Sequence, residues 1–437
     1  MNSPLKLAIF RRRLEATGLR AGRLATVFMH RFYHTAKTLA TALPISTLAA
    51  SIQSMMFGER WTRIQRERGA LVAVHAPDFT LTFAELDSQA RALRPQGEVF
   101  VAQGDTPDIL RATLAGLLQG VPVQWVEKDR TRRVPAMPPP DGTAFIKQTV
   151  GGSGVRRCQF FTFEQIAADV DRLHAFFDLD HRGVAVAAIS CAHSYGLTMT
   201  VLQTLLHGVP LCWAPQPFAQ PLMDALRPHA RAFLPGVPAM WKAWLMGQVS
   251  FENVSLALSA GSPLTPELAA MAREKHGLHL RNLYGTSECG AISCDDILLP
   301  GVEAQIGPEG RLMVESSSVG LGYDETLPGE IFGEGRFLTC DAVSLDEGRL
   351  KLQSSLGRGI NVAGRKLSPD EIAAKISLAG GLSSVEVFGA ASRDPERCQD
   401  IVARVPLPQA AIDVSLKTKV CASLAPWEVP RRWIGSS

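Results

Sequence analysis

The sequence predicts an α/β fold: a large N-terminal α/β domain with helices on its sheets and a small β subdomain, followed by a small mobile α+β C-terminal domain. Three observations support this. Short apolar strands alternate with helical segments over residues 184–283, which is typical of a sheet covered by helices. Residues 300–350 are rich in glycine and in short strand-like pieces. A strong helix start at Ser368 then opens a further α+β segment.

The length of 437 residues favours more than one domain and allows a large core. We expect a basic N-terminal extension over residues 1–64, a large domain over 65–356 and a C-terminal lid domain over 357–437. A proline-rich stretch at 134–140 is expected to be a linker inside the large domain.

The elements of the large domain follow in a regular order. An apolar strand is predicted at residues 143–149. After a glycine-rich stretch, Thr162 and Gln165 have the spacing of a capping box and predict a helix start. Further strands are predicted at 184–189, 209–212, 232–235, 254–259 and 278–283, and helices at 197–208, 221–229 and 266–276.

In the C-terminal segment, Ser368 is a predicted N-cap, followed by Pro369 at the first helical position and Glu371 three residues after the cap. This helix is expected to end at Gly380. Two strands and a helix complete the predicted domain, at 385–388, 401–405 and 415–424.

Charge is distributed unevenly along the chain. The net charge is +3, yet residues 1–37 carry eight basic side chains against Glu15 alone, and residues 38–58 carry none. The uncharged stretch is too polar for a membrane span and its flank does not fit a cleaved signal peptide. Residues 1–58 could contact an anionic membrane surface, although an arm that packs on the enzyme or on a partner is favoured. Nucleic-acid binding is disfavoured because no aromatic platforms are interleaved with these charges.

The eight cysteines are mostly far apart, and no Cys-x-x-Cys pair occurs. The ten histidines show no ligand spacing. This pattern predicts free thiols in a reducing compartment, so we expect a cytoplasmic protein, with membrane association at the inner face as the alternative. Metal binding by cysteine and histidine is not expected.

The most informative stretch is Asn-Leu-Tyr-Gly-Thr-Ser-Glu-Cys-Gly, residues 282–290. A predicted turn at Tyr284-Gly285 precedes the hydroxyls of Thr286 and Ser287 and the carboxylate of Glu288. Hydroxyls can donate to a phosphate, and a carboxylate can hold Mg²⁺ beside it. Without other motifs, a plain strand-to-loop turn would be an equally good interpretation.

A second candidate phosphate-binding segment runs from Thr149 to Arg157. Its glycines would let backbone N–H groups approach an anion, while a hydroxyl and a guanidinium would complete a phosphate cradle. It lacks the Gly-Lys-Ser/Thr of a Walker loop.

The ordered series of motifs resembles the adenylate-forming superfamily, which comprises acyl- and aryl-CoA ligases, peptide-synthetase adenylation domains and luciferases. The similarity runs from about residue 65 to the C-terminus. Residues 149–157 resemble the family's phosphate loop, and residues 284–288 resemble its Tyr-Gly-x-Thr-Glu motif. Further family motifs are resembled by residues 81–87, 193–197, 260–264, 339–341 and 360–372.

The resemblance implies roles for individual residues. Arg157, Ser287 and Glu288 would be catalytic, with Glu288 as the Mg²⁺ ligand and Asp341 on the ribose. The implied ATP-binding residues are Thr149, Gly151, Gly152, Ser153, Gly154, Gly261, Tyr284, Gly285, Thr286, Asp341 and Arg358. The implied substrate pocket comprises His193, Tyr195, Gly196, Met240, Trp241 and Ala260.

The chain departs from the family pattern at several positions. Val150 and Gly152 replace hydroxyl residues, and Arg156-Arg157 replaces Pro-Lys. A gap-free alignment puts Ser355 at the ribose-contacting arginine, whereas a shortened loop would let Arg358 keep that role. Both alignments stay open. The family's C-terminal Gly-Lys is expected to be missing, and the segment before the phosphate loop is shorter than usual.

The resemblance implies ATP-dependent activation of a small carboxylic acid as acyl-AMP, followed by transfer to CoA or to the phosphopantetheine of an acyl carrier protein. The reduced terminal regions slightly favour a carrier protein. Tyr195, Met240 and Trp241 suit an aromatic or medium apolar acid, unless Met240 and Trp241 belong to a helix's core face. The alternative is a degenerate, non-catalytic member that binds nucleotide or a partner.

Overall fold

The computed structural model describes residues 45–150, 154–355, 357 and 359–435. Four predicted site residues therefore lie outside the described residues: Gly151, Gly152 and Ser153 in the glycine-rich segment, and Arg358 at the start of the predicted C-terminal domain. Most of the basic N-terminal segment also lies outside them. The compact unit described below begins at Gln53.

Eleven α-helices are described, and most cover the faces of the sheets. Their bounds are α1 Ile45–Arg68, α2 Phe83–Ala92, α3 Thr106–Gln119, α4 Phe163–Phe177, α5 Ser194–Met199, α6 Val201–His207, α7 Ala219–Leu226, α8 Pro238–Met246, α9 Pro266–His276, α10 Pro369–Gly380 and α11 Val414–Cys421.

Twenty-four strands are described. The first twelve are β1 Val72–His75, β2 Thr80–Thr82, β3 Phe100–Gln103, β4 Val123–Val126, β5 Phe145–Thr149, β6 Arg157–Phe161, β7 Val184–Ala187, β8 Leu211–Trp213, β9 Ala232–Gly236, β10 Val254–Ser259, β11 Leu280–Thr286 and β12 Gly290–Cys294. The others are β13 Ile297–Leu298, β14 Val302–Ile306, β15 Arg311–Ser316, β16 Gly322–Tyr323, β17 Phe332–Gly333, β18 Arg336–Asp346, β19 Arg349–Ser355, β20 Ile360–Val362, β21 Arg365–Leu367, β22 Glu386–Ala391, β23 Gln399–Val405 and β24 Arg432–Gly435.

The largest sheet has a parallel half and an antiparallel half, in the order β14-β15-β18-β19-β13-β12-β11-β10-β9-β7-β8-β1-β2. Strands β8, β7, β9, β10 and β11 run parallel, as expected for strands linked through helices. From β12 onward the pairing is antiparallel, so the predicted β subdomain continues the same sheet through β11. The predicted α/β class is confirmed.

A second sheet has the order β16-β6-β5-β4-β3. Its strands β5 and β6 flank the glycine-rich segment, and each residue from Phe145 to Thr149 pairs with one from Phe161 back to Arg157. Helix α4 follows directly. Its start is the predicted capping box, because the Thr162 hydroxyl accepts from the Gln165 amide while the Gln165 side chain accepts from the Thr162 amide.

Two local predictions are wrong. The predicted turn at Tyr284-Gly285 is part of strand β11, where Gly285 pairs with Ala291; the chain reverses after Thr286 instead. The single helix predicted over 197–208 is two short helices, because Thr200 has φ −128° and ψ −83°, outside the helical region. The Thr200 hydroxyl also donates to the Gly196 carbonyl at 2.5 Å.

The C-terminal segment has its own core and a three-stranded sheet in the order β22-β23-β24. Helix α10 begins where predicted, since the Ser368 hydroxyl accepts from the Glu371 amide. It ends at Gly380, with Gly381 in the left-handed conformation at φ +68°. The hairpin β20–β21 precedes this helix and reaches the cavity described below. The boundary at residue 357 stays a prediction.

Helix α1 crosses the predicted boundary between the extension and the large domain. Its residues Phe57, Trp61 and Ile64 are buried in the core, and the Phe57 ring packs edge-on against Phe163 at 6.0 Å. Phe57 therefore faces protein and could not serve the membrane contact predicted for residues 1–58. Among the described residues, no helix is long and apolar enough to cross a membrane.

Candidate functional site

One cavity of about 830 Å³ opens between the two sheets and the β20–β21 hairpin. Several segments that the sequence places far apart meet in its wall. The predicted site residues that line it are Thr149, His193, Tyr195, Gly196, Met240, Ala260, Gly261, Gly285, Thr286, Ser287, Glu288 and Asp341.

The turn between β11 and β12 presents the predicted phosphate-binding residues to this cavity. Thr286 pairs with Gly290 across the strands, so residues 287–289 form the connection. The Thr286 hydroxyl accepts from the Glu288 amide at 3.3 Å. Gly290 has φ +74°, and a Cβ there would lie 2.4 Å from the carboxyl carbon of Asp169. Both restrictions favour glycine at the end of this turn.

The Glu288 carboxylate is 4% exposed and is oriented through one of its oxygens. Its Oε1 accepts from the Gln159 amide at 2.8 Å and from the Tyr323 hydroxyl at 2.7 Å. Burial, together with the negative charge of Glu288, raises the pKa of Tyr323, which stays a donor. A carboxylate held in this way in the cavity wall suits Mg²⁺, which usually takes one or two carboxylates together with substrate phosphates.

Arg157 does not occupy the position that the sequence predicts for it. Its guanidinium forms two hydrogen bonds of 2.6 Å with the Glu330 carboxylate and lies 3.7 Å from the centre of the Tyr323 ring. The side chain is 1% exposed and does not line the cavity. The predicted contact with the phosphates is therefore corrected: Arg157 supports Tyr323, which in turn holds Glu288.

Arg156, the neighbouring residue, does line the cavity. Its guanidinium donates to the Glu371 carboxylate of α10 at 2.8 Å and to the Thr131 carbonyl at 3.3 Å. The strand after the glycine-rich segment is thus tied to the C-terminal segment. The two adjacent arginines therefore have different environments: the Arg157 guanidinium is buried in protein, and the Arg156 side chain lines the cavity.

Asp341 lies where β18 borders the cavity. Its carboxylate accepts from the Tyr284 hydroxyl at 2.9 Å, and its amide donates to the Thr339 hydroxyl at 3.1 Å. The two motifs that carry these residues are thereby fixed to each other. Across the strands, Asp341 pairs with Ser355, but the choice between Ser355 and Arg358 stays open because Arg358 lies outside the described residues.

The predicted substrate side is only partly correct. Tyr195 lines the cavity and donates from its hydroxyl to the Leu258 carbonyl at 3.1 Å. Met240 also lines it. Trp241 does not: its side chain is fully buried, its indole N–H donates to Leu258, and its ring packs edge-on against Trp244. Trp241 thus belongs to the core face of α8, as the alternative interpretation held.

The β20–β21 hairpin brings Arg365 to the cavity mouth. Arg365 donates to the Glu127 carboxylate at 3.0 Å, and His193 lies 3.5 Å from the same oxygen. Burial alone would raise the pKa of Glu127, but the neighbouring His193, Arg130 and Arg365 outweigh it and lower the pKa to about 2. The carboxylate is therefore ionised at neutral pH and joins the predicted substrate side to the C-terminal segment.

Sequence reasoning missed several cavity residues, above all Lys147 and Asp169. Lys147 lies in the middle of β5, and burial lowers its pKa to about 8. Asp169 lies on α4, where burial raises its pKa. A signal existed in both cases: a lysine directly after two apolar residues of a predicted strand, and an acid on the buried face of an amphipathic helix.

The chain is similar in sequence and in fold to known enzymes. A model of the AMP-binding enzyme family matches residues 10–323. The long-chain-fatty-acid–CoA ligase of Salmonella typhimurium is 26% identical over 284 residues, which are 57% of this chain and 50% of that protein. A nonribosomal peptide synthetase of Aspergillus fumigatus is 21% identical over 349 residues, 71% of this chain and 16% of the synthetase. The chain spans about half the length of the curated CoA ligases of fatty acids that it matches.

Among solved structures, an o-succinylbenzoate CoA synthetase of Bacillus subtilis superposes with a TM-score of 0.74 and 16% identity, covering 86% of this chain and 94% of the synthetase. At that identity the likeness concerns the fold. The family model, by contrast, matches well over half of the 437 residues. This chain therefore belongs to the AMP-binding enzyme family.

Proposed function

We propose that this chain uses ATP to activate a carboxylic acid as an acyl-adenylate and then transfers the acyl group to a thiol. One observation carries the proposal: the turn with Glu288, the carboxylate of Asp341 and the segment His193–Gly196 all line a single cavity. A phosphate-binding turn, a ribose acceptor and a wall for the acid are what an acid and ATP would need side by side.

In the first step, an oxygen of the substrate carboxylate forms a bond to the α-phosphorus of ATP, and the bond to the β-phosphate oxygen breaks, releasing pyrophosphate. Thr286 and Ser287 supply hydroxyl donors for the phosphate oxygens, and Asp341 accepts from the ribose hydroxyls. Mg²⁺ held by Glu288 would neutralise charge on the phosphates. Tyr323 and Gln159 keep the Glu288 carboxylate in place during this step.

In the second step, the thiol sulfur bonds to the acyl carbon, AMP leaves and the thiol proton passes to solvent. The acceptor is CoA or the phosphopantetheine of an acyl carrier protein. The similarity to a peptide synthetase supports a carrier, and the similarity to a CoA ligase supports CoA. Lys128, Arg130 and Lys366 line the cavity and could meet the acceptor's phosphates.

The acid is proposed to be aromatic or of medium apolar length. Tyr195, Met240 and Leu173 line the cavity and support an apolar acyl chain. The loss of Trp241 from the predicted wall weakens the aromatic case but leaves the apolar one.

Pyrophosphate release with Mg-ATP tests the proposal. A panel of aromatic and fatty acids should be supplied without acceptor, with CoA, and with a phosphopantetheinylated carrier protein. Release that depends on one acid class supports adenylation, and acyl-thioester formation by mass spectrometry identifies the acceptor. Glu288→Gln should lower release about 100-fold or more, whereas Glu303→Gln, a change on strand β14 outside the cavity, should not change it. If no acid in the panel leads to pyrophosphate release, the proposal is contradicted.

A second candidate function is nucleotide or partner binding without turnover. The ion pair between Arg157 and Glu330 favours it, because the guanidinium predicted for the phosphates is committed elsewhere. Tight binding of ATP, with no pyrophosphate release for any acid or acceptor, would select this candidate.

A further inference from the structure

Lys147 is a buried cation in the wall of the cavity. The residue is 7% exposed, lies on β5 and lines the cavity close to the Thr286–Gly290 turn. Its ammonium donates to the Ser287 carbonyl at 3.4 Å and lies 4.3 Å from the centre of the Phe161 ring. A lysine carries three N–H donors, so the one long hydrogen bond and the ring face that the described residues provide satisfy the group poorly.

The carboxylates around Lys147 are already bonded to other groups. Glu288 accepts from Gln159 and Tyr323 through Oε1. Asp169 accepts from the Ala291 amide at 3.0 Å, and Arg172 lies 3.6 Å from the same oxygen. Asp169 and Glu288 stabilise the ammonium through space. Burial of this ammonium costs desolvation free energy. A buried cation in the wall of a cavity is well placed to bind an anion there.

We propose that the ammonium of Lys147 binds an oxyanion of the ligand that fills this cavity. The identity of that ligand rests on the proposed function, and two oxyanions are compatible with it. One is a phosphate of ATP or of the pyrophosphate product; the other is a second carboxylate at the far end of the acid.

The phosphate is favoured by the position of Lys147 along β5. Residues 147 and 149 point to the same face of a strand, and Thr149 begins the glycine-rich segment. The Ser287 carbonyl that Lys147 touches belongs to the other predicted phosphate-binding segment. Lys147 therefore lies two residues before Thr149 and contacts Ser287, and it supplies the positive charge that Arg157 does not bring to the cavity.

The other candidate, a second carboxylate at the far end of the acid, is supported by cavity residues on α4 and α5. Asp169 and Thr198 line the cavity from α4 and α5, as does Leu173, one of the residues proposed for the acyl chain. An acid long enough to reach them would bring its far end toward Lys147. A carboxylate there would find an ammonium, whereas a methyl group would leave that ammonium unpaired.

Equilibrium binding to purified protein tests the proposal without requiring turnover. Lys147→Met removes the charge at similar volume, Lys147→Arg keeps it, and Lys275→Met makes the same charge change on the exposed face of α9 as a control. Isothermal titration would use three probes: magnesium pyrophosphate, Mg-ATP, and a pair of acids of equal length, hexanoate and adipate. Thermal unfolding without ligand accompanies each titration. If Lys147→Met does not fold, Lys147→Gln takes its place.

We expect Lys147→Met to weaken oxyanion binding about tenfold or more, Lys147→Arg to retain much of it, and Lys275→Met to change nothing. Loss confined to pyrophosphate and ATP identifies the phosphate, and loss confined to adipate identifies the second carboxylate; either supports the proposal. Unchanged dissociation constants for every probe, or wild-type protein that binds none, would overturn it. A shift in unfolding temperature alone would assign Lys147 to the fold and also overturn it.

The failure of this proposal differs from failure of the proposed function. If the wild-type protein binds pyrophosphate through Lys147 but releases none from ATP with any acid, the Lys147 site is supported and the ligase activity is contradicted. If the Lys147→Met variant turns over normally and binds every probe as the wild type does, the ligase activity is supported and the Lys147 site is contradicted.

Discussion

The carboxylate of Glu127 accepts a 3.0 Å hydrogen bond from the guanidinium of Arg365, which follows it by 238 residues in the chain. Arg365 also stacks on Trp427, with its guanidinium carbon 3.9 Å from the ring centre. The β20–β21 hairpin is thus held at the mouth of the cavity by a partly buried ion pair on one side and by an aromatic ring on the other. Removing either charge breaks this link, although Glu127 keeps Arg130 at 3.0 Å and Arg365 keeps Asp129 at 3.5 Å.

Replacing Glu127 by glutamine should loosen this hairpin. The exchange of its backbone amides, over residues 360–367, is expected to speed up about tenfold, because a hydrogen bond between charged groups contributes on the order of 1.5 kcal/mol. Hydrogen–deuterium exchange followed by mass spectrometry measures this. Glu386→Gln breaks an exposed pair with Arg404 and is the matched control. Equal exchange in both variants would show that Glu127 does not restrain the hairpin.

Glu288→Gln should lower the rate of pyrophosphate release about 100-fold or more, the magnitude expected when charge stabilisation at a reacting phosphate is lost. The amide oxygen of glutamine can still accept from Tyr323 and Gln159, so the unfolding temperature should stay close to that of the wild type. Raising the Mg²⁺ concentration should restore part of the rate. A variant that keeps its full rate at low Mg²⁺ would show that Glu288 does not hold the Mg²⁺ needed for the reaction.

Tyr284→Phe should raise the KM for ATP by roughly five- to tenfold and change kcat little. The phenol orients Asp341 through one hydrogen bond of 2.9 Å, and such a bond contributes about 1 kcal/mol. Asp341→Ala removes the acceptor itself and should have a larger effect on KM. Steady-state kinetics at saturating acid compare the two variants. The reverse order would mean that the tyrosine acts independently of Asp341.

Gly290→Ala should destabilise the protein by at least about 2 kcal/mol, since an added methyl group meets the Asp169 carboxylate at a position of positive φ. Gly301 is a close control, because it also has φ +74° but has open space where its Cβ would be. Gly301→Ala should cost about 1 kcal/mol. Urea denaturation gives both values. Equal losses would show that Asp169 can move aside without cost.

Stability should fall as the pH falls, in part through His229. This ring is 8% exposed and lies edge-on to His75, with ring centres 4.6 Å apart. Burial, with the nearby His75, lowers the pKa of His229 to about 4. The unfolded chain, with a pKa of about 6.5, takes up the proton first, so the contribution is intact at neutral pH and is lost between about pH 6.5 and 4.

Between pH 7 and pH 5 the His229 contribution to this loss should be about 1–2 kcal/mol. His229→Gln should flatten the pH dependence by that amount while leaving the protein folded at pH 8. Urea unfolding at the two pH values provides the measurement. A variant with the same slope as the wild type would contradict the assignment.

Local chemistry made much of the fold predictable. The capping box at Thr162 and the cap at Ser368 each depend on residues three apart, and both helices begin where the sequence says. The prediction of a turn at Tyr284-Gly285 was wrong because pairing with β12 extends β11 beyond the point that local composition favours. Strand pairing depends on residues elsewhere in the chain, which a local pattern does not contain.

The site was predictable as a set of motifs but not as a set of contacts. Thr286, Glu288 and Asp341 meet in one cavity, as the order of the motifs led us to expect. Arg157 was misassigned because its partner, Glu330, is 173 residues away and belongs to no motif that the sequence singled out. Lys147 was missed because residues 143–149 were interpreted only as a strand, and the one charged residue among them was not given a role.

The pairing of Arg157 with Glu330 also limits how the sequence can diverge. A bidentate contact that is stacked on Tyr323 needs a planar guanidinium, so a lysine at position 157 would reproduce the charge without the geometry. A neutral residue at position 330 would remove the carboxylate that neutralises the buried guanidinium of Arg157, and a neutral residue at position 157 would remove the guanidinium that pairs with the partly exposed Glu330. Homologues of this chain should therefore exchange the two positions jointly, and engineered libraries that randomise one of them alone should return mostly the parental residue.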